Sequence, residues 1–187
     1  MKLYVGGLAE GRRGRGVDRE ALAVIAAEED GTSGGRIRMS RVADSSVQSL
    51  QGFVQAAVTL GSRIHTAGWD AYTGLSYMGY THGVSVLQGR CKSASTELLP
   101  RVHRVAALLK RWLLGTPQGA VRPDHLDYYL DEFTFRFNRR TSRSRGKLFY
   151  RLIQQAVQVE PSPYKKLVGG RPLSGSPPQQ VEGTVVN

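Results

Sequence analysis

The segment from Val102 to Arg140, VHRVAALLKRWLLGTPQGAVRPDHLDYYLDEFTFRFNRR, constrains the fold more than any other stretch. It sets two amphipathic helical patterns back to back and gives each a cationic face. In the first, Leu98, Val102, Val105, Leu109 and Leu113 recur at helical spacing as a buried stripe, and Arg101, Arg104, Lys110 and Arg111 fall off it. In the second, Leu126, Tyr129, Leu130, Phe133 and Phe137 make the stripe. Its acids Asp124, Asp127, Asp131 and Glu132 come early and Arg136, Arg139 and Arg140 come late, the order that suits the helix macrodipole at both ends.

The charge of the whole chain agrees with that basic pair. Lys and Arg number 26 against 15 Asp and Glu, a net +11 in 187 residues. The field favours polyanions, and nucleic acid is the polyanion to which it points ahead of a membrane surface. With 40% hydrophobic and 22% charged residues the chain has the composition of one globular domain large enough to bury a core. The single Cys91 excludes an internal disulfide and a cysteine-built zinc site, which fits a reducing cytoplasmic setting. No apolar run approaches the roughly 20 residues that span a bilayer, and no membrane partner is expected. The first residues, MKLYVGGLAEGRRGRG, lack the apolar core of a signal peptide.

Along the chain, Leu3 to Val5 reads as a short strand stopped by Gly6 and Gly7, followed by a glycine-rich loop carrying Arg12, Arg13 and Arg15. In that loop a phosphate contact and a plain strand connection are both open readings, and its glycine order does not fit a P-loop. Ala21 to Glu28 looks like a buried strand, although its alanines leave a helix open, and Gly34 to Val42 partly alternates as an exposed strand does. Ser45 or Ser46 caps a helix through Val58. Ser62 to Thr66 is a short strand, Trp69 to Met78 a short helix, Tyr80 to Leu87 a strand and Gln88 to Ser95 a polar loop. The two basic helices follow, then a last helix from Ser144 to about Val159. Residues 160–187 are rich in proline, glycine and serine and read as a mostly disordered tail behind a domain spanning 1–159. The order describes an α/β fold with one mixed sheet flanked by helices and extra C-terminal helices, as in ribonuclease H-like folds. Trp69 and Trp112 are expected to be buried or half-buried, and Phe133, Phe135 and Phe137 to pack in the core rather than stack on bases.

Three strings sharpen this reading: HTAGWDAY at His65 to Tyr72, LLKRWLLGTPQGAV at Leu108 to Val121, and YYLDEFTFRFNRR at Tyr128 to Arg140. Together they resemble bacterial insertion-sequence transposases of the ISXO-two-like group, over about Tyr4 to Tyr164. The resemblance implies a DDE-type recombinase on an RNase H-like core, which cuts insertion-sequence ends and joins them to target DNA. Such chemistry is an in-line displacement in which two magnesium ions, held by carboxylates, stabilise the attacking and leaving oxygens.

The resemblance also fixes where the ligands should stand. The acidic pair that precedes Tyr-x-Gly-Gly corresponds to Met1 and Lys2, ahead of Tyr4-Val5-Gly6-Gly7. The second aspartate corresponds to Ala67, between Thr66 and Gly68-Trp69, and Asp70 would project from a different point. The third position falls at His103, seven residues before Lys110, and at roughly 100° per residue the two share a helix face. Some members carry histidine there, yet imidazole is a poor ligand for magnesium. The expectation is therefore a degenerate catalytic domain with no metal cofactor as written, preceded in intact relatives by a zinc-ribbon and helical DNA-binding region. What remains is a basic surface: Lys110, Arg111, Arg136, Arg139, Arg140, Arg143 and Arg145, with Lys147 and Arg151, are candidates for contacts to DNA phosphates. The other reading of that cluster is a solvated helix end. A second copy or an intact transposase is the expected protein partner, and the cytoplasm, at the nucleoid when DNA is bound, the expected place.

Overall fold

The structure is a computed structural model and describes residues 1–6, 20–30, 33–85, 99–115 and 121–168. The loop with Arg12, Arg13 and Arg15, Leu98, the polar loop with Cys91, and residues 169–187 of the expected tail lie outside them.

Strands β1 (Lys2–Gly6), β2 (Glu20–Asp30) and β3 (Ser33–Val42) form an antiparallel sheet in that order. The alanines that left a helix open over Ala21 to Glu28 are in β2, where small side chains let helices approach both faces of the central strand. Its two faces separate by parity, as a strand's alternation dictates. Leu3, Ala21, Ala23, Ile25, Ile37 and Met39 face one core together with helices α2 (Pro100–Gly115) and α3 (Leu126–Asn138). Val24 faces a second core with helix α1 (Val47–Ala57) and a 3-10 helix at Asp70–Met78. The α2 stripe is buried at Val105, Leu109 and Leu113, and the α3 stripe at Leu126, Leu130 and Phe133, as their spacing predicts.

Ser46 is the N-cap of α1 and its hydroxyl accepts the Ser49 N–H, so of the two candidate serines the second is the cap. Strand β4 (Arg63–Thr66) follows, then the 3-10 helix, then β5 (Thr81–Val84), which pairs in parallel with β4. The α/β order and the helix-flanked sheet match the expectation. Its strands are hydrogen-bonded in two groups, one antiparallel and one parallel, and the Lys2 side chain bridges them by resting on Trp69. Helices α4 (Arg145–Ala156) and α5 (Tyr164–Val168) complete the described chain, the latter falling inside the segment read as tail. Among the described residues no helix is long and apolar enough to cross a membrane.

Polar contacts tie α3 to β3 at both ends of the helix. The Asp127 carboxylate meets Arg41 at 3.0 Å with both side chains largely buried, and Arg41 also donates to the Pro123 carbonyl at 3.0 Å. Asp127 therefore does more than complement the helix dipole. At the other end of α3, Asn138 Oδ1 accepts the Ile37 N–H at 2.7 Å and its Nδ2 donates to the Ile37 carbonyl at 3.0 Å.

Candidate functional site

The start of β1 meets the turn that follows β4, where Lys2 touches Trp69. Lys2 pairs in register with Val24, and its Nζ stands 3.1 Å from the centroid of the Trp69 ring. A cation over an indole face is held by the ring quadrupole. Partial burial there pushes the Lys2 ammonium below the usual lysine range. Trp69 is more open than its sequence context suggests, at 49% exposed, because one face of its ring lies under a lysine rather than in the core. Ala67 is exposed at the end of β4, and Gly68 follows with φ of 77°, a left-handed turn that glycine enters freely. Asp70 opens the 3-10 helix as an exposed residue.

Beside Ala67, the β4–β5 pair carries a small polar network. The buried Thr66 hydroxyl shares a hydrogen bond with His82 Nε2 at 2.9 Å, and Ser85 Oγ shares one with His65 Nε2 at 3.0 Å. Burial, and then the neighbouring His65, lower the His82 pKa. Gly83 sits opposite His65, and a Cβ there would come within 3.1 Å of its ring.

His103 and Lys110 lie on α2, His103 half-buried and Lys110 exposed. Farther along, Leu108, Arg111 and Trp112 of α2 and Phe133, Arg136 and Phe137 of α3 line an open cleft of about 400 Å³. Its floor is aromatic packing between the helices, with Trp112 centred 5.7 Å from Phe133 and 6.1 Å from Tyr129. Among the described residues no three His, Cys, Asp or Glu side chains gather as a metal site would need.

The basic candidates divide by what already holds them. Arg136 pairs with Glu132 at 2.6 Å, one helical turn away. Arg140 lies over the Phe137 ring and donates to the carbonyls of Gly34, Gly35 and Phe137, so its guanidinium ties β3 to α3. Arg139 lies over Phe135, 3.9 Å from the ring centroid. Burial, with Arg151 and Arg36 nearby, holds its guanidinium below the usual arginine range. Lys110, Arg111, Arg143, Lys147 and Arg151 are exposed. Arg145 is the first residue of α4, the helix that carries Lys147 and Arg151. Sequence reading missed Arg36 and Asn138. For Arg36 the available signal was the outward phase of the β3 alternation, Arg36 and Arg38 exposed against Ile37 and Met39 buried. For Asn138 there was none, since its partner is 101 residues away.

Compared with known proteins, residues 3–138 match a family model described as the ISXO2-like transposase domain. No curated protein and no solved structure matches the chain.

Proposed function

The chain belongs to the ISXO2-like transposase domain family, and on that premise we propose that it is an RNase H-like transposase shell that binds DNA through phosphates and does not itself build the two-metal site. The observation that carries this is local: where β1 meets the β4 exit, an ammonium lies on an indole and a methyl group stands at Ala67. Magnesium demands hard oxygen ligands in near-octahedral order. Lys2 would repel it, Ala67 offers nothing and the His103 imidazole is a poor substitute, so these residues do not fit the magnesium pair of the family.

What the chain retains is a cationic surface. Lys110, Arg111, Arg143, Lys147 and Arg151 are exposed and suit contacts that position a duplex without reading its bases. A non-catalytic DNA-binding role, alone or beside an intact transposase in the cytoplasm, is the form of the function this surface favours.

The test has two arms. Incubated with element-end duplex and magnesium or manganese, the chain should give neither cleavage nor strand transfer, and metal-dependent products would overturn the reading. Fluorescence anisotropy on the same duplex should show binding at low salt that falls steeply as salt rises. Absence of binding at low salt would remove the DNA role.

A further inference from the structure

Helix α4 carries an apolar face that its own chain leaves open. At helical spacing Leu148, Phe149, Leu152, Ile153 and Ala156 fall on one side, and Lys147, Arg151 and Gln154 on the other. None of the side chains described in α4 is buried, and Phe149 is 67% exposed. A helix of 12 residues is marginal in water without tertiary packing, so α4 depends on something that covers this face. The cleft between α2 and α3 has the reverse shape. Its floor is Leu108, Trp112, Phe133 and Phe137, and Arg111 and Arg136 edge it. One chain therefore bears both a convex apolar helix and an apolar groove.

The turn that joins α3 to α4 keeps the two apart. Backbone hydrogen bonds run from the Arg139 N–H to the Arg136 carbonyl, from Arg140 to Phe137 and from Ser142 to Arg139. Arg140 also lies over the Phe137 ring and donates to the carbonyls of Gly34 and Gly35, which fixes the turn to β3. With the turn fixed, α4 leaves in a set direction, and both the groove and the helix face stay open.

Size selects the occupant. Three turns of helix, about 18 Å long, cover about half of the ~800 Å² that each partner of a stable interface buries. One seat alone is too small. Two copies that exchange α4 about a twofold axis fill two seats at once, each copy giving one helix and one groove, and the sum reaches the standard size. A foreign helix has no such doubling open to it.

We propose that two copies of this chain pair in that way, α4 of each seated in the α2–α3 cleft of the other with Phe149 as the anchor against the Trp112 floor. Lys147 and Arg151 stay on the outward side of each seated helix. The pairing goes beyond the DNA reading and does not depend on it.

The test uses the full chain without DNA, so failure of the DNA reading leaves its result intact. Sedimentation velocity should show a monomer–dimer equilibrium that shifts toward dimer as salt rises, because salt screens the repulsion between two chains of +11 each. Phe149→Lys, at an exposed helix position, should weaken the dimer about thirtyfold, as loss of a buried aromatic anchor does. Leu60→Lys, at an exposed leucine outside both surfaces, should leave it unchanged. A chain that stays monomeric at every concentration and salt, or a dimer weakened equally by both variants or by neither, overturns the proposal. A mixture then locates the seat. One copy, unlabelled and with Cys91→Ser, carries a nitroxide at Gln154→Cys, and the other, labelled with nitrogen-15, reports its two indole N–H signals. The Trp112 signal should broaden while that of Trp69, beside β1, stays sharp. A sharp Trp112 in a dimer would place α4 on another surface. Broadening within a single doubly labelled chain, with none in the mixture, would mean that α4 closes on its own cleft; either result overturns the exchange.

Discussion

Asn138 pairs with Ile37 as a neighbouring strand would, one side-chain amide giving and taking the hydrogen bonds that an edge strand leaves open. Ile37 is itself 1% exposed and sits in the main core, so this pairing decides where β3 is held against α3.

Replacing Asn138 with Ala should therefore destabilise the fold by about 2–3 kcal/mol, the cost of leaving a donor and an acceptor unsatisfied beside a core residue. Asn138→Asp keeps the acceptor and loses the donor, so it should fall between wild type and Ala. Urea denaturation followed by circular dichroism would show this order; equal stability of all three would contradict it.

Both partners of the Arg41–Asp127 pair are mostly shielded from water. Removing one member strands the other charge, which costs about 3–5 kcal/mol for a buried pair. Asp127→Ala should lose about 3 kcal/mol, whereas Asp124→Ala, at the exposed Arg122 contact, should lose less than about 1 kcal/mol. Similar midpoints for the two variants in urea would show that Asp127 matters only through the helix dipole.

Placing a carboxylate at Ala67 alone should not create a metal site. The new side chain would stand two residues from the Trp69 ring that holds the Lys2 ammonium, and the lysine would neutralise it. Titration calorimetry with manganese should give no site in Ala67→Asp, and a measurable one only when Lys2→Asp is added. Binding by the single variant would mean that Lys2 leaves the ring easily.

His82 supplies a pH dependence. Its folded pKa is lowered from 6.5 by burial and by His65, so the unfolded chain takes up this proton more readily than the folded one. The contribution to stability is complete above about pH 6.5 and is lost as pH falls through the lowered folded value. His82→Gln should flatten the stability profile between pH 7 and 5 relative to wild type, as read from thermal midpoints. The effect is small because the ring is partly solvated.

Much of this was legible in the sequence because it depends on local periodicity. The stripes of α2 and α3, the cap at Ser46 and the parity of β3 are written at spacings of two to four residues, where side-chain chemistry decides the outcome. The order of the strands followed from the same signals. The division of hydrogen bonding into two strand groups depends on non-local geometry, as do the Arg41–Asp127 pair and the Asn138 clamp. At the candidate site, the resemblance pointed to Ala67 and His103, and Lys2 over Trp69 joins residues 67 positions apart that no spacing rule connects. Arg140 was legible as a cation, and its attachment to the β3 carbonyls was not, because a charged side chain and a backbone acceptor leave no pattern in composition.

The clamp on Ile37 also sets an order of events during synthesis. Asn138 follows its partner by 101 residues, so the β2–β3 hairpin is complete long before the group that closes its outer edge leaves the ribosome. Through that interval the hairpin presents open backbone groups of the kind to which another nascent strand can attach. A chain released ahead of α3 therefore lacks the group that meets the Ile37 backbone.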